Sequence, residues 1–188
     1  MKNLFKVLLL VCLTTLSVTA QTVSIGPKVG LNLANYSGAV TNDRSLAGIQ
    51  AGGLVEIQLI DLVSIQPELL FSVQGASFEN VKDVYNYVNL PIMGKIYPIE
   101  GLYGEIGPQI GFLLSANEKA IDNTNRAQFT QQIKTVDFGL NFGAGYKLPD
   151  LGLAFGLRYY AGLSNFPRNN SRIKHGIFQL YTSWAFEL

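Results

Sequence analysis

Apolar and polar residues alternate with a period of two along eight segments of the chain, which is the pattern of β-strands with one apolar face. In the first segment, Val29 and Leu31 share one face, and Lys28 and Asn32 share the other. Glycines fall inside several segments, which disfavours helices. The sequence therefore predicts an all-β protein. The predicted strands are 23–34, 49–59, 63–74, 84–97, 102–114, 133–146, 151–163 and 177–188.

The connections between these strands alternate in length. Residues 60–62, 98–101 and 147–150 form short connections, whereas the others are longer and polar. Outer-membrane barrels have short periplasmic turns and longer external loops, and an even strand count leaves both termini in the periplasm. The pattern predicts an eight-stranded antiparallel up-and-down transmembrane β-barrel. The long connections are 35–46, 75–83, 115–132 and 164–176.

One formal charge lies on the glycine-bearing polar face of each predicted strand. A lipid-facing charge near the bilayer midplane costs ~2–4 kcal/mol, so this face is expected to point into the lumen. Lys134 is the exception, with lipid-facing parity at the start of its strand, where its side chain can snorkel. The predicted lumenal charges are Lys28, Glu56, Glu68, Lys95, Glu105, Asp137, Arg158 and Glu187.

A soluble lipocalin-like barrel is the main alternative fold, and it would turn its apolar face inward around a ligand. Glycines share a face with the charges here, and small residues suit the crowded inside of a narrow barrel. The membrane barrel is therefore favoured, with Tyr146, Trp184 and Phe186 in an interfacial girdle. The residues predicted to form an outward apolar belt are Leu31, Ile57, Leu69, Ile92, Ile110, Leu140, Leu157 and Leu180.

Residues 1–20 are predicted to be a cleaved signal peptide. Lys2 and Lys6 precede an apolar stretch, and small residues up to Ala20 form the cleavage site, so the mature chain begins at Gln21. A permanent transmembrane helix needs about 20 apolar residues, which this stretch does not supply. Lipoprotein processing at Cys12 would cut through the apolar stretch itself. Residues 21–188 then form one outer-membrane β-barrel domain.

Composition excludes several classes of function. The formal net charge of +1 falls by two when Lys2 and Lys6 are removed, so a nucleic-acid partner is not indicated. Cys12, the single cysteine, leaves with the signal peptide, and His175 is the single histidine. Disulfides, thiol chemistry, metal sites and other cofactors are therefore not expected.

Several motifs resemble one family when taken in their order along the chain. They are Tyr87-Val88-Asn89-Leu90-Pro91, Glu105-Ile106-Gly107-Pro108, Asp137-Phe138-Gly139 with Gly143-Ala144-Gly145-Tyr146, and Arg158-Tyr159 with Gly162-Leu163-Asn165. Across roughly residues 23–188 the chain resembles the porin-like family of outer-membrane β-barrel domains, with the architecture of OmpA and OmpX. The resemblance implies residence in the outer membrane of a Gram-negative bacterium, with membrane lipid and the barrel-assembly machinery as partners. Such barrels usually end on an aromatic residue, whereas this chain ends Phe186-Glu187-Leu188.

An eight-stranded barrel is just wide enough for side chains to fill, so we expect the lumenal charges to pair. Strand adjacency predicts Lys28 with Glu56 or Glu187, Lys95 with Glu68 or Glu105, and Arg158 with Asp137 or Glu187, Asp137 being preferred for Arg158. The leading hypothesis is a non-enzymatic barrel whose loops, 115–132 in particular, contact an unknown extracellular partner. A narrow or gated channel is the alternative.

An enzyme is a further class of hypothesis. Acyl chemistry needs a base beside a nucleophile, and His175 is the one candidate base, with Ser171 as a loop partner. Ile177 and Gln179, on the same strand face, offer no hydroxyl, so His175 is interpreted as a rim residue. Gly143-Ala144-Gly145 lacks the following helix of a nucleotide fingerprint. No catalytic residue is predicted.

Overall fold

The computed structural model describes residues 22–37, 44–77, 81–120, 126–128, 135–164 and 174–188. The predicted signal peptide, its cleavage site, Cys12, Lys134 and Ser171 lie outside these ranges. The described strands are β1 (Val23–Ser37), β2 (Arg44–Ile60), β3 (Val63–Ser77), β4 (Val81–Ile99), β5 (Leu102–Ala120), β6 (Arg126–Gln128), β7 (Val136–Leu148), β8 (Leu153–Gly162), β9 (Lys174–Trp184) and β10 (Phe186–Glu187).

Antiparallel pairing joins the strands into a closed barrel. Each wall strand pairs with the next along the chain, and β1 pairs with both β9 and β10, which closes the circuit. β10 continues β9 along the edge of β1, and β6 pairs only with β5, outside the wall. The wall therefore has eight strands, and the predicted up-and-down barrel is confirmed.

Six of the eight wall strands are longer than predicted at the end of the barrel that carries the long connections, whereas β7 and β8 are slightly shorter there. β2 begins at Arg44, β4 begins at Val81, and β5 extends to Ala120 with Asp83 opposite Glu118 in register. These extensions carry few apolar residues, so period-two alternation does not mark them. The backbone ladder therefore continues where the alternating side-chain pattern stops.

Three tight connections form the opposite, short-turn end of the barrel. Gly101 has a φ of 80° and Gly152 a φ of 64°, the left-handed region that favours glycine. Gly152 ends a 3-10 turn over Pro149–Leu151. The amide of Lys147 donates to the carbonyl of Gly101 at 2.7 Å, which ties two of the turns together.

The outer face of the barrel is apolar, as predicted. Leu31 is 56% exposed and Leu157 is 64% exposed, whereas Lys28 and Arg158 on the inner face are buried. Of the predicted belt residues, Ile57 alone is only half-exposed. This arrangement is opposite to that of a lipocalin-like barrel, so that alternative is wrong. Among the described residues, no helix is long and apolar enough to span a membrane.

Aromatic side chains lie near the short-turn end of the outer face. The rings of Trp184 and Phe186 are 4.5 Å apart, and the Trp184 Nε1–H donates to the carbonyl of Leu151 at 2.9 Å. Tyr146 is also on the outer face and exposed. These are the positions predicted for the girdle.

Inside the barrel, tyrosine rings lie against glycines. A Cβ added to Gly156 would lie 2.4 Å from the Tyr181 ring, and one added to Gly139 would lie 2.5 Å from the Tyr160 ring. Any side chain at these glycines would overlap a ring. The glycines of the polar face therefore provide the space in which buried tyrosines pack.

Candidate functional site in the barrel lumen

Arg158 lies at the centre of the lumen and contacts two carboxylates. Its Nε and Nη2 donate to the two oxygens of Glu105 at 2.7 and 2.8 Å. Its Nη1 and Nη2 donate to the two oxygens of Glu68 at 2.9 and 2.8 Å. All three side chains are buried. The guanidinium thus makes two bidentate contacts, the strongest geometry for a carboxylate pair.

Lys28 extends this cluster on the other side of Glu68. Its Nζ donates to both Glu68 oxygens at 2.9 and 3.1 Å and lies 3.6 Å from the centre of the Tyr181 ring. The Tyr181 hydroxyl donates to Glu105 at 2.9 Å and is 2.9 Å from the Tyr103 hydroxyl. The central layer is therefore one connected network of charges and tyrosines.

Backbone register explains why Arg158 meets Glu105 from a strand that is not its neighbour. Gly143 of β7 is paired with Glu105 of β5 on one side and with Arg158 of β8 on the other. A Cβ at Gly143 would lie 2.9 Å from a Glu105 oxygen. The missing side chain on the intervening strand lets the two long side chains meet directly above it.

A second layer surrounds Glu56 near the short-turn end. Its carboxylate accepts hydrogen bonds from Lys147 Nζ at 3.0 Å, from Ser64 at 2.8 Å and from the Tyr97 hydroxyl. Lys95 Nζ lies 3.9 Å from the same carboxylate. Lys147 is the most exposed of the three charged members, with 21% of its side chain accessible. This layer closes the lumen beneath the central cluster.

Amides and tyrosines fill the lumen on the other side of the central layer. Asn141 donates to Gln109 at 3.1 Å, and Asn32 donates to Ser72 at 2.9 Å. Above the amides, the Tyr160 hydroxyl donates to Asp137 at 2.6 Å. Buried apolar residues complete this outer plug. They are Ala34 and Ile177 beside Tyr160, and Leu113 and Ala116 beside Tyr85 and Tyr87.

Positive and negative charges are equal in number across these layers. Among the described side chains of these layers, four cations face four carboxylates, so their formal charges balance. The charged members are Lys28, Lys95, Lys147, Arg158, Glu56, Glu68, Glu105 and Asp137.

The structure corrects the expected pairing of Arg158 and the expected place of Glu187. Asp137 bonds Tyr160 instead of Arg158, because it lies near the far end of β7 whereas Gly143 is the residue in register with Arg158. Glu187 is exposed and pairs in register with Ser24 at the short-turn end, so it takes no place in the buried network.

The partners predicted for the two lysines are also wrong. Lys28 pairs with Glu68, and Lys95 lies nearest to Glu56. Lys95 is opposite Glu105 in register, but Arg158 occupies both oxygens of that carboxylate. Competition for acceptors, which strand order does not reveal, decides these pairs.

Sequence reasoning missed the tyrosines and Lys147. Tyr103 has the same strand parity as Glu105, and Tyr160 has the same parity as Arg158, so alternation alone could have placed both inside. Lys147 was assigned to a short turn, yet it lies at the end of β7 with its side chain directed to Glu56. Lys147 has the same parity as Asp137 and Asn141, so alternation continued one residue beyond the predicted end of this strand would have placed it inside as well.

The network holds its charges in mutual contact, which suits support of the wall better than catalysis. Among the described side chains, no group of three or more His, Cys, Asp or Glu residues is arranged to hold a metal ion. The His175 backbone lies in β9 opposite Tyr36, at the end of the barrel with the long connections.

Comparison with known families identifies the class of protein. A model of the outer membrane protein beta-barrel domain family matches residues 19–167, most of the chain. The chain therefore belongs to this family, and the protein resides in the outer membrane of a Gram-negative bacterium. Comparison with curated proteins gives no match.

Solved structures of small outer-membrane barrels share the fold. Ail, the attachment invasion locus protein of Yersinia pestis, is 15% identical with a TM-score of 0.53, over 89% of this chain and 100% of that chain. Ail bound to the heparin analogue sucrose octasulfate is 16% identical with a TM-score of 0.51, over the same shares. Neisserial surface protein A is 10% identical with a TM-score of 0.57, over 86% of this chain and 97% of that chain.

Proposed function

We propose that this protein is a non-enzymatic surface barrel whose lumen is filled by side chains and whose long connections bind an extracellular partner. The observation that supports the closed lumen is the central layer, in which Arg158, Glu68 and Glu105 are buried and bonded to one another. Membrane lipid and the barrel-assembly machinery are its further proposed partners.

The layered packing argues against free diffusion through the barrel. A solute would have to separate the Glu56 layer, the central cluster and the plug around Tyr160 in turn. Separating buried ion pairs exposes charges that have no other partner, which costs several kcal/mol. A gated channel would need an alternative set of partners for Arg158 or Lys28.

Planar-bilayer conductance of the folded protein in potassium chloride tests the closed lumen. We expect no stable open level in the wild type. Arg158→Ala is the informative variant, because it removes the side chain that joins two carboxylates. Stable channels in the wild type would favour the alternative, a narrow or gated channel.

Charge along the chain favours an anionic extracellular partner. Residues 164–176, which include the first residues of β9, carry Arg168, Arg172 and Lys174 with no acidic residue, whereas 115–132 contains Glu118 and Asp122 among its cations. Ail, whose fold is similar, binds a sulfated heparin analogue. We therefore propose a sulfated or similarly anionic glycan as the ligand, and 164–176 as its main contact instead of 115–132.

Binding of sucrose octasulfate to the refolded protein tests this choice. The triple variant Arg168→Gln, Arg172→Gln, Lys174→Gln should weaken binding about tenfold, since exposed charge pairs contribute up to ~1 kcal/mol each. The matched control removes the same number of charges elsewhere, as Lys82→Gln, Lys119→Gln, Arg126→Gln, and should have a smaller effect. Equal losses in both variants would indicate attraction by net charge alone.

A further inference from the structure

An apolar groove with a volume of about 620 Å³ lies on the outer face of the wall. It crosses β4, β5, β7 and β8, behind the part of the wall that carries Glu105, Gly143 and Arg158 on its inner side. Its size falls within the range of about 300–1,000 Å³ typical of ligand pockets. A second outer-face hollow of about 530 Å³ lies around Val29, Leu31 and Leu180, and the feature that distinguishes this groove is its glycine floor.

The floor of the groove contains two outward-facing glycines that local packing does not require. A Cβ at Gly104 would meet nothing within 4 Å, and one at Gly94 would approach only the Ile106 carbonyl at 3.6 Å. Gly107, by contrast, faces the crowded interior, where a Cβ would lie 1.9 Å from the Ile92 carbonyl. Larger residues would fit at positions 94 and 104 and would fill the groove. Steric crowding does not require glycine at either position, so the groove is open because the sequence has glycine there.

The groove is bordered by two neighbouring rows of residues, each of which runs across the strands from one register partner to the next. One row pairs Gly94 with Ile106, Ile106 with Phe142 and Phe142 with Tyr159. The Tyr159 ring lies 5.3 Å from the Phe142 ring and 4.7 Å from the Phe178 ring, which makes one side aromatic.

The second row forms the facing side of the groove. It pairs Ile96 with Gly104, Gly104 with Ala144 and Ala144 with Leu157. Ile96 and Leu157 project at its two ends, and the small residues lie between them. The channel between the two rows is therefore elongated and has no charged side chain on its outer surface.

The groove lies on the membrane-facing surface of the barrel, so its surroundings are lipid. The protein resides in the outer membrane, and the groove is continuous with the exposed apolar belt, in which Ile92 and Leu140 are neighbours of its rim. A two-fold dimer through this face would place groove against groove and fill neither. A hydrocarbon chain is flexible and can follow the floor. Van der Waals packing drives association in a bilayer. It therefore favours an acyl chain that lies in the groove over an acyl chain that lies on the flat wall.

We propose that this groove binds one acyl chain of a membrane lipid and so retains a lipid at a fixed place on the barrel. The aromatic row and Leu157 contact the sides of the acyl chain. The small residues Gly94, Gly104 and Ala144 let the acyl chain approach the backbone of the barrel wall. The site is independent of the long connections. This proposal and the proposal of glycan binding can therefore be rejected separately.

Native mass spectrometry of the protein released from nanodiscs of palmitoyl-oleoyl phosphatidylethanolamine tests the site. The wild type should retain one lipid. Gly94→Leu with Gly104→Leu should lower the retained fraction roughly threefold to tenfold, the scale expected when several van der Waals contacts are lost. Gly53→Leu places the same side chain on the outer face of β2, across the barrel from the groove, where a Cβ would approach only the Gly26 carbonyl at 3.7 Å, and should retain lipid as the wild type does.

Heat-modified gel mobility confirms that each variant is folded, and the free space at Gly104 makes folding of the filled variant the expected result. Equal lipid retention by the wild type and the filled variant would overturn the proposal. So would a wild-type dimer that the filled variant abolishes, because the occupant would then be a second copy of the chain.

Discussion

Arg158 and Glu105 meet across Gly143, a residue of the strand that separates them, through two hydrogen bonds of 2.7 and 2.8 Å. The contact joins β5 and β8 through the lumen as well as through the wall. Because Arg158 also holds Glu68 of β3, one guanidinium connects three strands. The barrel is thus braced across its interior.

Arg158→Ala should lower the free energy of unfolding by ~3–5 kcal/mol, because it leaves two buried carboxylates without their main partner. Urea unfolding in detergent micelles, followed by tryptophan fluorescence, measures this. Adding Glu105→Gln should recover part of the loss, since contacting residues couple. Adding Asp137→Asn should recover none, because Asp137 bonds Tyr160. Full stability combined with new conductance would identify Arg158 as a gate.

Gly156→Ala should destabilise the barrel by ~1–3 kcal/mol, because the added methyl group would overlap the Tyr181 ring. Gly104→Ala is the matched control on the outer face, where the methyl group meets nothing within 4 Å. The two variants, compared by urea unfolding, should therefore differ clearly. Similar losses would mean that glycine acts here through the backbone alone and not through ring packing.

Lys28→Met should cost more stability than Lys147→Met. Lys28 is fully buried against Glu68, whereas Lys147 is partly exposed and leaves Glu56 with Ser64 and Tyr97 as donors. Partly exposed pairs contribute about 1 kcal/mol or less and are weakened by salt. Unfolding at low and high ionic strength should show a salt-dependent difference for Lys147→Met only. A larger loss of stability for Lys147→Met than for Lys28→Met would place the main stabilising contact at the short-turn end.

The mature protein should begin at Gln21, because the residues up to Ala20 have the character of a signal-peptidase site. Intact mass of the protein purified from outer membranes measures the cleavage point. A mature chain that retains Lys2 and Lys6 would contradict this prediction.

Period-two alternation was sufficient to predict the wall and its faces. Leu31, Leu69 and Leu180 lie outside, while Lys28 and Glu68 lie inside, as their parity requires. A one-residue slip would have reversed every one of these positions. The inside and outside of the barrel therefore follow from sequence because one face must be apolar throughout.

The lumenal contacts could not be predicted in the same way. Parity shows that Arg158 and Glu68 point inward, but they belong to strands that are not neighbours, and their meeting depends on side-chain length and on glycines between them. Glu187 has inward parity too, yet it is exposed because its strand ends at the rim. Contacts inside a narrow barrel depend on the position of each residue along the barrel axis. Period-two alternation does not encode that position.

The seam between β1 and the strands at the other end of the chain also constrains how the barrel is made. Ser24 pairs with Glu187, and Lys28 pairs with Ser183, so the first strand finds its second neighbour only when β9 and β10 are present. Until then both edges of the growing sheet expose unpaired backbone groups, which invite pairing with other chains. Closing so long a loop is slow. The wall therefore closes only when β9 and β10 pair with β1, so the seam is the last part of the sheet that can be completed.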